Sequence, residues 1–251
     1  MRDTAGEARS IGYEVQGEAL VPSVMDRETG LRGDGGFCGT AGAIAMLPTK
    51  LRRGGLSAAS LAEMTGATRL SNQVEVDYGI GVAKGSLFGR RLWGHLGGFG
   101  SYVAVLAHFP DDETTISVLI NTRFAELGAL VLFADVAAAV FQVETEPLLD
   151  RPVPDSVAGA LAGLYVGDRE RRELEIVGSG SRVVRRTPGA DAEPLALAWQ
   201  GGLTFGRADW PLDRFRFHRV GGDVVSLSVY YNGFFDGYYA RVGRGRPVTT
   251  E

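Results

Sequence analysis

The chain has 251 residues, 45% hydrophobic and 22% charged, with a formal net charge of −4, a balance that supplies apolar material for two domain cores and excludes disorder as the default. Lys50 and Lys84 are the only lysines among 26 cationic residues, and no basic stretch is interleaved with aromatics, which argues against nucleic acid as a partner. Cys38 stands alone, so no internal disulfide is available; no apolar run reaches the ~20 residues of a membrane span, and the first residues have no signal-peptide core, which leaves the compartment open.

In chain order, residues 1–36 are rich in glycine and charge and read as an extended strand-and-loop entry. Thr40 to Arg53 is the first predicted helix. Ile44, Leu47 and Leu51 recur at helical spacing, and Gly54-Gly55 ends it. Ser60 and Glu63 have the spacing of a capping box for a short helix reaching Met64. Val74, Val76, Tyr78, Ile80 and Val82 then alternate as in a half-buried strand, with a turn at Lys84-Gly85. A strand begins over Arg91–Gly94, another carries Val103, Val105 and Ala107, and Pro110–Glu113 turns into a third with Ile116, Val118 and Ile120. Leu127, Leu130, Val131, Ala134, Ala138 and Phe141 share one helical face. Helix, helix, antiparallel strands, helix is the order of an α+β domain, with helices packed on an antiparallel sheet.

Three prolines, Pro147, Pro152 and Pro154, mark residues 146–156 as a linker between a domain over 1–145 and another over 157–251. The second carries about eight short strand-like runs, including 161–166, 173–177, 182–186, 214–218, 224–230 and 237–242. Such spacing predicts a sandwich or a closed all-β barrel.

Five pieces in order carry a resemblance. They are Gly33-Asp-Gly-Gly-Phe-Cys-Gly-Thr-Ala-Gly-Ala-Ile-Ala, the stretch Leu51–Met64, Tyr78-Gly-Ile-Gly-Val, Trp93-Gly-His-Leu-Gly-Gly-Phe-Gly-Ser, and Phe109-Pro-Asp-Asp with Val118-Leu-Ile-Asn-Thr. Together they resemble the C-terminal part of the serine β-lactamase and penicillin-binding-protein-like hydrolases, the group of class C β-lactamases, esterases and D-aminopeptidases found in bacteria. Met1-Arg-Asp-Thr is similar to a family segment that normally follows the nucleophile. The last ninety residues, opening with Leu161-Ala-Gly-Leu-Tyr, resemble the small lipocalin-like barrel of some members.

The resemblance implies acyl transfer on a small-molecule amide or ester, with no cofactor. The family's Lys- or His-x-Gly triplet falls on His95-Leu96-Gly97, so Gly98 would offer the oxyanion amide and His95 a contact to the substrate. Tyr78, Trp93 and Phe99 would line the cleft, although core packing explains Tyr78 and Trp93 equally well. The family's nucleophile is missing. No Ser here is followed by Lys three residues on, and the sole Tyr-x-Asn, Tyr230-Tyr231-Asn232, lies in the predicted barrel. The resemblance thus implies a truncated hydrolase whose nucleophile-bearing fragment precedes Met1, inactive alone.

Plainer readings stand beside this one. His108 and His218 lack acidic or metal-like neighbours and read as structural, so no metal site is expected. Cys38, just before a predicted helix start, has the place of a stabilised thiolate, but a lone Cys reads more simply as a small buried residue, and Gly33–Gly36 as a turn. Two other functions remain open. One is a non-catalytic binding or assembly module, which predicts self-association or pairing with a separate fragment. The other is a lipocalin-like carrier, which needs a cavity that the many C-terminal aromatics would fill.

Overall fold

The computed structural model describes residues 10–17, 19–23, 35, 37–122, 126–149, 151–167 and 171–244. Met1–Thr4, Gly33, Asp34 and Gly36, on which parts of the resemblance fall, lie outside them. The chain divides into two units, one of residues up to Met64 with Arg90–Val143, the other of Thr65–Gly89 with Glu144 onward.

In the first unit, Tyr13–Gln16 (β1) and Ala19–Pro22 (β2) form a hairpin. The predicted first helix is present but broken into Ala41–Ala45 (α1), Leu47–Lys50 (α2) and a widened turn over Leu51–Gly55. Thr40 caps its start, accepting a bond from the Ala43 amide at 3.2 Å. Pro48 causes the break: it has no amide to give the preceding turn, and it sits in the first turn of α2, where that loss costs least. Gly54, at φ +126°, ends the run as expected. Ala58–Met64 (α3) follows. Its cap is Ser57, which accepts from the Ser60 amide at 3.0 Å; Ser60 and Glu63 do not form the predicted box.

Thr68–Arg69 (β3) and Glu75–Val76 (β4) are a minimal pair in the second unit, and the long strand expected over Val74–Val82 does not form. Gly79 and Lys84 donate back to the carbonyls of Val82 and Asp77 at 2.8 Å each, so the chain turns here, with Gly81 at φ +71°. Val74, Val76 and Val82 are nevertheless buried, while Ile80 is exposed. Lys84-Gly85, expected as a turn, lies inside Ala83–Leu87 (β5).

Arg90–Phe99 (β6), Tyr102–Phe109 (β7) and Thr114–Ile120 (β8) form an antiparallel meander in the first unit. Val103, Val105, Ala107 and Phe109 alternate onto the buried face of β7. Glu126–Phe141 (α4) packs there, with the Phe109 ring 4.8 Å from Phe141 and 6.4 Å from Phe133. Its buried side is Ala129, Leu130, Phe133, Ala134 and Ala137, rotated from the predicted face. An almost wholly apolar helix does not mark its inner side by periodicity.

In the second unit, Asp155–Leu161 (α5), missed in the sequence, leads into Gly163–Gly167 (β9), Glu173–Ser179 (β10), Arg182–Arg186 (β11), Leu195–Gly201 (β12), Thr204–Arg207 (β13), Arg214–Val220 (β14), Asp223–Tyr231 (β15) and Phe234–Arg244 (β16). Each of these eight strands pairs antiparallel with the next, and β16 returns to β9, closing a barrel. Tyr165, Phe205, Phe215, Phe217, Leu227 and Val229 fill its interior, with Phe217 5.7 Å from Tyr165 and 5.8 Å from Phe205. Arg241 donates to the carbonyls of Ala160, Val224 and Ala162, and Tyr165 to that of Leu161, which satisfies the last turn of α5.

The expected barrel is present, but the α+β class, with a helix-covered sheet leading into it, is overturned. The described chain is mostly β: a closed eight-strand antiparallel barrel plus further strands. Two physical facts decide this. No residue of α1 or α3 is buried, so neither helix contributes to a core. Residues 65–89 group with the barrel, where Phe234 of β16 pairs with Gly85 and a Cβ at Gly85 would stand 1.7 Å from the Gly233 carbonyl oxygen.

Candidate functional site

Local chemistry at the β6–β7 turn sets the geometry of the glycine strand. Gly100 (φ +57°) and Ser101 form a two-residue turn, with glycine first as its backbone requires. Phe99 and Tyr102 close this turn, so they exchange hydrogen bonds, and the unbroken register from Phe99↔Tyr102 to Trp93↔His108 carries the alternation inward. Gly97, His95 and Trp93 direct their backbone groups toward β7. Gly98 and Leu96 direct theirs away from it.

The strand emerges from the core as it advances. Leu92, Trp93 and Gly94 are buried, His95 and Leu96 half-buried, Gly97 and Gly98 exposed, and Phe99 is 47% exposed. A Cβ at Gly94 would lie 1.8 Å from the Leu106 carbonyl oxygen, so β6 and β7 approach there closely enough to need glycine. The tip is anchored: buried Ser101 donates to the Ser23 hydroxyl at 2.5 Å, and the Tyr102 hydroxyl donates to the Ser10 carbonyl at 2.7 Å.

Four of the sequence-predicted site residues, His95, Gly97, Gly98 and Phe99, therefore share one strand end. The His95 Nδ1 lies against the Leu96 carbonyl. Trp93 is on the same strand but buried, edge-on to His108 at 5.1 Å. Tyr78 belongs to the second unit, where its ring is 6.4 Å from Phe235 and its carbonyl accepts from Thr68 at 2.6 Å. His108 is buried with Nδ1 2.9 Å from the Thr115 hydroxyl, and burial lowers its pKa. His218 is 2.8 Å from the Ser228 hydroxyl and is likewise lowered by burial. Cys38 is exposed. Among the described residues no three of His, Cys, Asp and Glu gather as metal ligands, and no helix is long and apolar enough to cross a membrane.

Two polar clusters in the second unit escaped sequence reasoning. Asp77 accepts the Tyr230 hydroxyl at 2.7 Å and Arg216 at 3.3 Å, with the Lys84 ammonium 3.8 Å away. Burial, then the Asp77 charge, pushes the Tyr230 hydroxyl up. In the second cluster Asp213, 2% exposed, accepts the Asn232 amide at 3.1 Å and Arg207 at 3.2 Å. Burial raises its carboxyl to about 6. Lys84 and Arg207 are six or seven residues from their carboxylates, but the other partners lie 19 to 153 residues apart, beyond any spacing rule. The Tyr230–Asn232 motif has its own local partners here, since Asn232 also accepts the Trp210 indole N–H at 2.9 Å.

The chain matches no family model and no curated protein. Among solved structures it is similar to SurE, with a TM-score of 0.54 and 19% identity over 96% of this chain and 58% of that one. SurE with D-Leu (TM-score 0.45, 18% identity, 78% of this chain and 46% of that) and the octameric penicillin-binding protein homologue from Pyrococcus abyssi (0.45, 18%, 92% and 53%) are more distant structural neighbours. The likeness to SurE is one of fold alone, and the chain spans 58% of the SurE chain.

Proposed function

We propose that the exposed end of β6 is the oxyanion side of a serine-hydrolase-type acyl-transfer site for small amides or esters. In this reading the Gly98 amide donates to the developing oxyanion, His95 contacts the substrate, and Phe99 forms part of the cleft wall. The observation that carries it is the hairpin register, which turns the Gly98 N–H away from β7 on a strand end open to solvent. A backbone donor fixed by a sheet needs no reorganisation as charge develops, which is why it lowers an acyl-transfer barrier. The ordered motifs from Gly33 to Thr122 support the same chemistry. The reading assigns no nucleophile to this chain, which contains no Ser-x-x-Lys.

Phenylphosphonate, a tetrahedral oxyanion, tests the donor directly. In amide-resolved NMR titrations the Gly98 N–H is expected to move downfield saturably, and Gly98→Pro, which deletes the donor, to abolish binding. Shifts that spare residues 95–99 would end the proposal.

A second reading, assembly with a like chain, is favoured by one observation. On α4, Leu132 and Val140 are 46% and 50% exposed, on a helix with few charges to solvate that side.

A further inference from the structure

We propose that the barrel end opposite α5 binds a small carboxylate, anchored by the guanidinium of Arg185. The connections alternate between the two ends of an up-and-down barrel. The Val153 amide binds the Ser181 carbonyl at 2.8 Å, so the β10–β11 turn lies at the α5 end. The end of β9, the start of β10, the β15–β16 turn and the final residues of β11 therefore lie at the other. Alternation along the strands then shows which side chains point in. Arg185 follows buried Val183 by two residues and pairs with Ile176, itself 1% exposed. Tyr231 continues the inward row of Leu227 and Val229. Tyr239 belongs to the core and pairs with Gly167.

An arginine aimed into a barrel interior requires compensation for the water it has lost. Arg207, also at this end, has it: Asp209 takes two of its N–H groups at 3.0 and 2.7 Å, and Asp213 a third at 3.2 Å. Arg185 instead lies against the Tyr231 hydroxyl, a neutral partner, and its Nε is enclosed with no hydrogen-bond acceptor. Arg172 and Asp236 also act on the Tyr239 hydroxyl. Among the described residues, Arg185 makes no ion pair with a carboxylate.

A planar carboxylate matches the guanidinium fork, and the hydroxyls of Tyr231 and Tyr239 are further donors. A separate shallow depression, lined by Glu193, Pro194, Leu195, Ala196, Ala208 and Asp209, adjoins Leu195, which pairs with Arg185. Phe205, Phe215 and Phe217 occupy the interior below, so the ligand would sit in the rim rather than the lumen. The site is independent of the acyl-transfer reading and stands or falls without it.

Benzoate is the probe, with benzamide as its uncharged counterpart, at constant ionic strength. The full chain is expected to bind benzoate saturably and benzamide not at all. Arg185→Gln should weaken benzoate by about tenfold or more, the loss of a charge-assisted pair, with Arg185→Lys between the two. Wild-type amide shifts should centre on Arg185, Tyr231 and Tyr239, a readout that holds even where the glutamine variant does not fold. Equal affinity of folded Arg185→Gln, no saturable binding to wild type, or shifts centred elsewhere would overturn the site.

Discussion

Asp213 shows how one buried group couples this fold to pH. Burial outweighs Arg207 and the Asn232 amide, and its carboxyl titrates near 6 rather than 3.8. A folded-state pKa above the unfolded one means that the native chain holds the proton more tightly. Its contribution is complete below about pH 4 and is lost as pH rises through about 6, a difference on the order of 2–3 kcal/mol. The midpoint of thermal unfolding is therefore expected to fall between pH 4 and 7. Asp213→Asn should flatten that slope, and an unchanged slope would show that Asp213 does not titrate in this window. None of this was legible in the sequence, where Asp213 is one of 30 acidic residues. By contrast the Gly97-Gly98 pair was legible as a motif, although the close approach that requires glycine falls at Gly94, and a Cβ at Gly97 would make only ordinary contact with Ala104 at 3.5 Å.

Among the elements, residues 65–89 differ most from expectation. Their alternating valines predict a strand, and three of them are buried, yet Gln73 and Gly81 at positive φ fold the segment into turns. Polar contacts add to the buried valines in holding it to the barrel. Asp77 accepts from Tyr230 and Arg216, and the Asn72 amide donates to the Tyr238 hydroxyl at 2.6 Å. Asp77→Asn should cost about 1.5–3 kcal/mol, the scale of a hydrogen bond to a charged group. It should also speed amide exchange over 68–82 ahead of the barrel strands; exchange unchanged there would show that the valines alone hold the segment. Pro48 and α5 teach a related lesson. Periodicity marked the first helix but passed over the proline that splits it, and the seven residues of α5 are too few to display a period beside three nearby prolines.

At the scale of the molecule, the exposed apolar side of α4 bears on assembly. Light scattering after size exclusion is expected to show self-association that Leu132→Glu weakens, with the barrel's circular dichroism unchanged; a monomer at all concentrations would remove the assembly reading. The sequence by itself determined the strands of the β6–β8 meander and most of those between 163 and 244, because alternation between a buried and an exposed face is a local signal with glycine and proline punctuation. It also determined that His95, Gly97, Gly98 and Phe99 lie together, since they are neighbours in one strand. Only the tertiary structure decided that the last eight strands close on themselves, that residues 65–89 join them, and that Asp77, Asp213 and Arg185 acquire their partners. Those pairings depend on distance in space between residues far apart in the chain, and a buried charge is recognisable as such only once the fold has removed its water.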